Sequence, residues 1–297
     1  MILRGVAVAV ALVVLLSGVA VVLVSYRSAD TLIHPARQLV ATTPANLSLP
    51  YAVVDFQSTD SIALDGWWIP ADSPKGTVVV LHGYGESKNQ SLAYAPFLHN
   101  ASYNVFTFDF RAHGESGGDH TTVGRDETAD VEGAWLYLAQ RGDVDMAHVA
   151  FMGFSMGAAT AINAAVDLPH ARAIVSDSSF ATLQNIASHS ITHFTGLPKY
   201  PFGPMAVYFA SRMVHEDIAT NQPVVAIKQI HMPVLVIQGG QDDIAYPDAD
   251  GRALYDAAPP GSEWLLIPAA HHVKGHDVDR AEYEARVIAF LEKNVAS

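Results

Sequence analysis

Apolar and polar positions divide the chain into three regimes. From Gly5 to Val24 the run GVAVAVALVVLLSGVAVVLV carries no charge, and a helix of that length, at about 1.5 Å per residue, spans the roughly 30 Å of a bilayer's hydrocarbon. The run passes into Ser25-Tyr26-Arg27 without the small-residue cleavage site of a signal peptide. Residues 1–27 are therefore expected to be a retained single-pass anchor, with secretion after signal cleavage as the alternative. Arg4 and the amino terminus on one side are set against Arg27 and Arg37 on the other. That balance does not set the orientation; the rest of the chain is expected outside the cytoplasm. From Asp30 to Pro50 the residues are polar, proline-bearing and aperiodic, which predicts a linker over 28–50.

Beyond it the pattern changes to that of a folded domain, expected over 51–297. YAVVDFQS and SIALDGWWIP half-alternate and predict a hairpin pair. Six short runs follow that are apolar on both faces and rich in β-branched residues: Thr77–His82, Asn104–Phe110, Val149–Phe154, Arg172–Ser178, Pro233–Gly239 and Ser262–Ala269. Such runs predict strands covered on two sides. Between them, Asp126–Gln140 has acids in its first turn and apolar residues at Val131, Ala134, Trp135 and Leu138, one face of a helix. Ala158–Val166 and Arg280–Val295 also read as helices. Strand and helix alternate, so the predicted architecture is α/β, a mostly parallel sheet with helices on both faces.

Composition narrows the partners. A formal charge of −13 opposes polyanions and anionic lipid headgroups, so no nucleic acid is expected, and a neutral small-molecule partner fits better. The absence of cysteine removes disulfides, thiolate catalysis and Cys-based zinc sites.

Two stretches fit G-x-S-x-G: Gly114–Gly118 around Ser116, and Gly153–Gly157 around Ser155. Context separates them. Ser155 follows a buried strand and precedes an alanine-rich helix, the strand, turn and helix that a nucleophilic serine requires. The glycines permit so tight a turn, and the helix aims free N–H groups at developing negative charge. Ser116 lies in RAHGESGGDHTT, too rich in glycine to start a helix, and reads as a loop. A serine nucleophile needs a base and the base an orienting carboxylate, in chain order Ser, Asp/Glu, His. After Pro233–Gly239 stand Asp242 and Asp243; after Ser262–Ala269 stand His271 and His272. Position alone leaves both pairs open.

From about Tyr51 to its end the chain resembles the α/β-hydrolase superfamily. HGYGES, FDFRAHGESGG, GFSMGAAT, GGQDD and PAAHH are similar to the branch of membrane-anchored or secreted serine hydrolases that includes BEM46-like proteins. The resemblance implies an acid three residues after the strand-end glycine, Asp242 after Gly239, and a histidine four after a proline, His272 after Pro268. One departure is that Pro247, at the family's four-residue spacing from the acid, has that spacing from Asp243. The resemblance further implies an oxyanion hole from the backbone N–H groups of Tyr84 and Met156, and a small helical cap over about 180–230.

Other residues have plainer readings. His82 and His113 precede Ser155 and fall in loops that the family uses structurally. His189 and His193, spaced i, i+4, are expected on a solvated helix face, as is His271 with His276; no metal is expected. Asp109 and Arg111 are expected to brace the loop after their strand. The aromatics Phe194, Tyr200, Phe202, Tyr208 and Phe209, with Met205 and Met213, are either cap core or an acyl-binding wall. Together these readings predict a membrane-anchored serine hydrolase of carboxylic esters using Ser155, Asp242 and His272, without cofactor. A thioesterase or amide hydrolase is the rival within enzymes, and a catalytically silent, partner-binding domain the rival outside them.

Overall fold

The computed structural model describes residues 2–38 and 40–296. Met1 in the expected anchor, Leu39 in the expected linker and Ser297 lie outside them. The hairpin forms as β1 (Ala52–Gln57) and β2 (Ala63–Ile69), with Asp55 opposite Asp65. The six apolar runs become β3 (Gly76–Leu81), β4 (Tyr103–Phe108), β5 (Val149–Phe154), β6 (Ile174–Asp177), β7 (Val234–Gly239) and β8 (Glu263–Ile267). One sheet joins them in the order β1-β2-β4-β3-β5-β6-β7-β8, antiparallel at β1-β2-β4 and parallel from β4 onward.

Strands β3 to β7 are buried at every position, because both faces are covered. Their alternation divides the core. On β3, Val79 and Leu81 join Phe106, Phe108 and Phe151 on one side, while Val78 and Val80 join Val105 and Met152 on the other.

Helix α1 is the long N-terminal Ile2–Ile33, and α2 is the short Ala95–Asn100. Helices α3 (Thr128–Ala139) and α4 (Met156–Ala164) cover the first face of the sheet. The second is covered by α2 and the C-terminal helix Arg280–Asn294, through Leu98, Tyr283, Val287 and Phe290. Helices α5 (Leu183–Thr195) and α6 (Lys199–Val214) form an insertion between β6 and β7. After β3 the chain moves outward to β4 and then returns to the opposite side of β3 as β5. A reversal of this kind opens a crevice beyond the carboxyl ends of the two strands.

The polar stretch after residue 27 departs from the expected free linker. Helix α1 is 32 residues long, continues to Ile33, and is long and apolar enough to cross a membrane. Its first two-thirds are exposed, whereas Ser25, Ala29 and Ile33, spaced i, i+4 and i+8, are buried against the domain. Two small residues with only one large one between polar neighbours hide that stripe from a hydropathy reading. The backbone N–H of Thr121 then satisfies the Ile33 carbonyl at 2.8 Å. Just beyond, the Arg37 guanidinium donates to the carbonyls of His113, Gly114, Ser116 and Gly118. The segment is docked on the domain on both sides of the helix end.

Candidate active site

Ser155 stands between β5 and α4 at φ 50°, ψ −111°, a left-handed bend that a serine adopts only under constraint. The constraint is the contact between β5, α4 and the end of β3. A Cβ on Gly153 would lie 2.4 Å from the Gly157 carbonyl oxygen, and one on Gly157 would lie 2.3 Å from that of Leu81. The Ser155 N–H donates to the Asp177 carbonyl at 2.8 Å and fixes the bend from the next strand.

The imidazole of His272 reaches this hydroxyl. Its Nε2 lies 2.9 Å from Ser155 Oγ and its Nδ1 lies 2.8 Å from Asp242 Oδ2. Asp242 is held from several directions. Its Oδ1 accepts from the N–H groups of Ile244 and Ala245 at 3.0 and 2.9 Å, and Oδ2 also accepts from Gln238 Nε2 at 3.0 Å. Asp243 points elsewhere, to His193 Nδ1 on α5 at 2.9 Å, and His271 is exposed. Each neighbouring pair thus has one member in the constellation and one outside it.

A second tier of residues, absent from the sequence reading, holds this constellation. Ser178 Oγ accepts from the Val273 N–H at 3.1 Å, which fixes the loop beside His272, and Ser178 also donates to Asp177 at 2.9 Å. The Tyr283 hydroxyl donates to the other Asp177 oxygen at 2.7 Å. Burial pushes the Asp177 carboxyl up to about 6, against these donors and the nearby imidazole. Spacing gave no sign of the group, since Tyr283 lies 106 positions from Asp177.

The HG loop after β3 comes up beside the bend, where a Cβ on Gly83 would stand 3.7 Å from the Ser155 Cβ. Among the described residues, neither the Tyr84 nor the Met156 backbone N–H has a protein acceptor. The Tyr84 hydroxyl donates to the Thr31 carbonyl in the last turn of α1, and burial pushes its phenol up to about 12. The side chain ties down the end of α1. Tyr84→Phe is expected to lower unfolding free energy by about 1 kcal/mol while holding kcat on a soluble ester within about threefold of wild type. A fall in kcat of a hundredfold would show that the hydroxyl itself takes part in turnover.

Behind this loop, Asp65, Asp109 and Glu115 converge as metal ligands would. The cation among them is the Lys88 ammonium, wholly buried, 2.5 Å from Asp65, 2.6 Å from Asp109 and 2.8 Å from Glu115. Burial alone would depress this lysine, but the carboxylates, Asp109 foremost, hold it above the usual range. Asp109 and Arg111 do brace their loop, Arg111 by pairing with Asp130 and Asp60 at 2.7 Å. Ser116 is buried in that same loop, donating to the Asp109 carbonyl at 2.6 Å and accepting from the Asp65 N–H at 2.9 Å. His82 is enclosed as well, accepting from the Phe110 N–H and donating to the Gly83 carbonyl, and burial lowers it to about 3.

Two histidine expectations are corrected. His189 is buried, stacked on Tyr246 at 3.8 Å, and His276 is buried between Tyr94 and Phe97 while bonding Glu284 at 2.9 Å. Aromatic neighbours distant in sequence account for both.

The hydroxyl and imidazole open into a cavity of about 830 Å³. Its walls come from α1 (Leu23, Val24, Arg27, Ser28, Thr31, Leu32), from α5 and from the Tyr84 loop. Among the described residues, no carboxylate lines it. Of the cap aromatics, Phe194 lines the cavity, Phe202 packs with Ile191, and Phe209 meets Tyr26 edge-on at 5.8 Å. An alcohol hydrogen-bonded to an imidazole that is itself oriented by a buried carboxylate has the parts for acyl transfer.

This sheet, with a serine bend after its fifth strand, defines the chain's class: it belongs to the α/β-hydrolase superfamily. The family model described as serine aminopeptidase, S33, matches residues 72–207. The uncharacterized protein Rv2307c of Mycobacterium tuberculosis is 30% identical over 218 residues, covering 73% of this chain and 70% of the relative. The uncharacterized YfhR of Escherichia coli K12 is 26% identical over 246 residues, 80% of this chain and 79% of the relative. Among solved structures, the esterase Pf2001 of Pyrococcus furiosus superposes with a TM-score of 0.76 at 28% identity, over 89% of this chain and 99% of that one.

Proposed function

We propose that the protein is a membrane-anchored serine esterase that hydrolyses carboxylic acyl esters through an acyl-enzyme. The observation that carries this reading is the continuous link from Ser155 Oγ through His272 to Asp242, at 2.9 and 2.8 Å. Ser155 Oγ attacks the acyl carbonyl carbon while His272 Nε2 takes its proton. Asp242 holds the imidazole in place and balances its positive charge. The Tyr84 and Met156 N–H groups meet the oxyanion. As the tetrahedral intermediate collapses, the leaving alkoxide takes the proton from His272 and departs as alcohol. Water then attacks the acyl-serine with the same base, and the carboxylic acid leaves as Ser155 regains its proton.

The choice of an ester over a peptide rests on the cavity and on likeness to Pf2001. An aminopeptidase needs an anion for the substrate's terminal ammonium, and among the described residues the wall offers Arg27 and no carboxylate. Retention of the anchor is supported by the six positions of α1 in the wall, since cleavage after residue 27 would remove three of them.

A fluorophosphonate probe is expected to label Ser155 in the wild-type protein and to leave Ser155→Ala unlabelled. On matched acyl chains, the oxyester is expected to turn over at least about tenfold faster than the thioester or the amide. Preference for the thioester or the amide would move the assignment to the rival hydrolases. Absence of labelling would favour the silent partner-binding domain.

A further inference from the structure

The anchor helix is also a wall of the candidate active site. Leu23, Val24, Arg27, Ser28, Thr31 and Leu32 follow the spacing i, i+1, i+4, i+5, i+8, i+9, one continuous helix face. That face runs along roughly 13–14 Å of the cavity at 1.5 Å rise per residue. Helix α1 has 32 residues, while the hydrocarbon core takes about 20. The uncharged run ends at Val24, so the cavity wall, which starts at Leu23, begins where the membrane-crossing part ends.

The surroundings of that point suit a membrane surface. Leu23 and Phe194 both line the cavity, yet are 59% and 74% exposed in the absence of a bilayer. Nearby, Tyr26 and Tyr208 are also exposed and are linked through Phe209. Tyrosines collect at the bilayer interface, and Arg27 follows Tyr26 in the chain. An apolar opening rimmed by such residues would be costly in water and is covered when it faces lipid.

We propose that the substrate is a long-chain acyl ester resident in the bilayer, whose chain enters between Leu23 and Phe194 and follows α1 to Ser155 without crossing water. This rests on the esterase reading above. It extends that reading from a reaction type to a substrate class and a route of entry.

The test uses the full-length protein reconstituted in phosphatidylcholine vesicles. Nitrophenyl palmitate is dissolved either in the same bilayer or in separate vesicles, and nitrophenyl acetate is supplied in the aqueous phase. Palmitate is expected to be hydrolysed at least about tenfold faster from the shared bilayer, because the effective concentration is local. Phe194→Asp, on α5 and not on α1, is expected to lower the palmitate-to-acetate rate ratio at least about tenfold, with folding monitored by fluorophosphonate labelling. Equal palmitate rates from the two kinds of vesicle, or a ratio that Phe194→Asp does not move, overturns the inference. Acetate turnover and labelling of Ser155 report separately on the hydrolase reading. Their loss in the wild type sinks that reading, while their presence without a shared-bilayer advantage sinks the entry route alone.

Discussion

His272→Ala is expected to reduce kcat on a soluble nitrophenyl ester by a factor on the order of a million, and Ser155→Ala by about as much. The reason is that the two side chains, 2.9 Å apart, form one device: without the imidazole the hydroxyl keeps its proton, and without the hydroxyl the imidazole has nothing to activate. The double substitution is therefore expected to be no slower than either single one. Asp242→Asn is expected to cost roughly ten-thousandfold by disturbing the imidazole's tautomer. Asp243→Asn should stay within about threefold, since its partner is the surface histidine His193. Single-turnover rates with active-site titration decide the matter. Multiplying effects of the two alanine substitutions, or a larger loss at Asp243 than at Asp242, would contradict this account of the site.

Lys88→Met is expected to produce the largest loss of stability. The lysine ammonium and the Asp109 carboxylate are both wholly buried. Taking away the cation leaves Asp109 charged in a low-dielectric interior, with Asp65 and Glu115 adding repulsion. Breaking such a buried pair costs about 3–5 kcal/mol, far above the value of a surface ion pair. The damage should also reach turnover, because Lys88 closes the loop that begins with Gly83 and Tyr84. Urea unfolding in detergent micelles measures the first effect and kcat at a temperature well below the transition the second. A stability change under about 1 kcal/mol would mean that the carboxylates freed by the substitution find other partners.

Much of this was legible along the chain because the relevant signals are local. Strands β3 to β7 announce themselves as unbroken apolar runs, and Ser155 is distinguished from Ser116 by the strand before it and the helix after it. What escaped was assembled from afar. Polarity marks His189 and His276 as surface residues, yet Tyr246, Tyr94 and Phe97 enclose them. Gln238, Ser178 and Tyr283 look ordinary in sequence and matter through what they touch. The choice between Asp242 and Asp243 turned on the direction of two side chains one peptide apart, which spacing alone left open. The end of α1 was hidden for another reason: its buried stripe is Ser25, Ala29 and Ile33, and one isoleucine beside two small residues does not register as a packing face.

That helix bears on how the protein should be handled. Trimming the apolar run through Val24 to obtain a water-soluble protein would take Leu23 and Val24 from the cavity wall and leave its outer end open. The shortened protein is expected to select substrates by rules of its own, and its preferences would describe the trimming more than the full-length hydrolase.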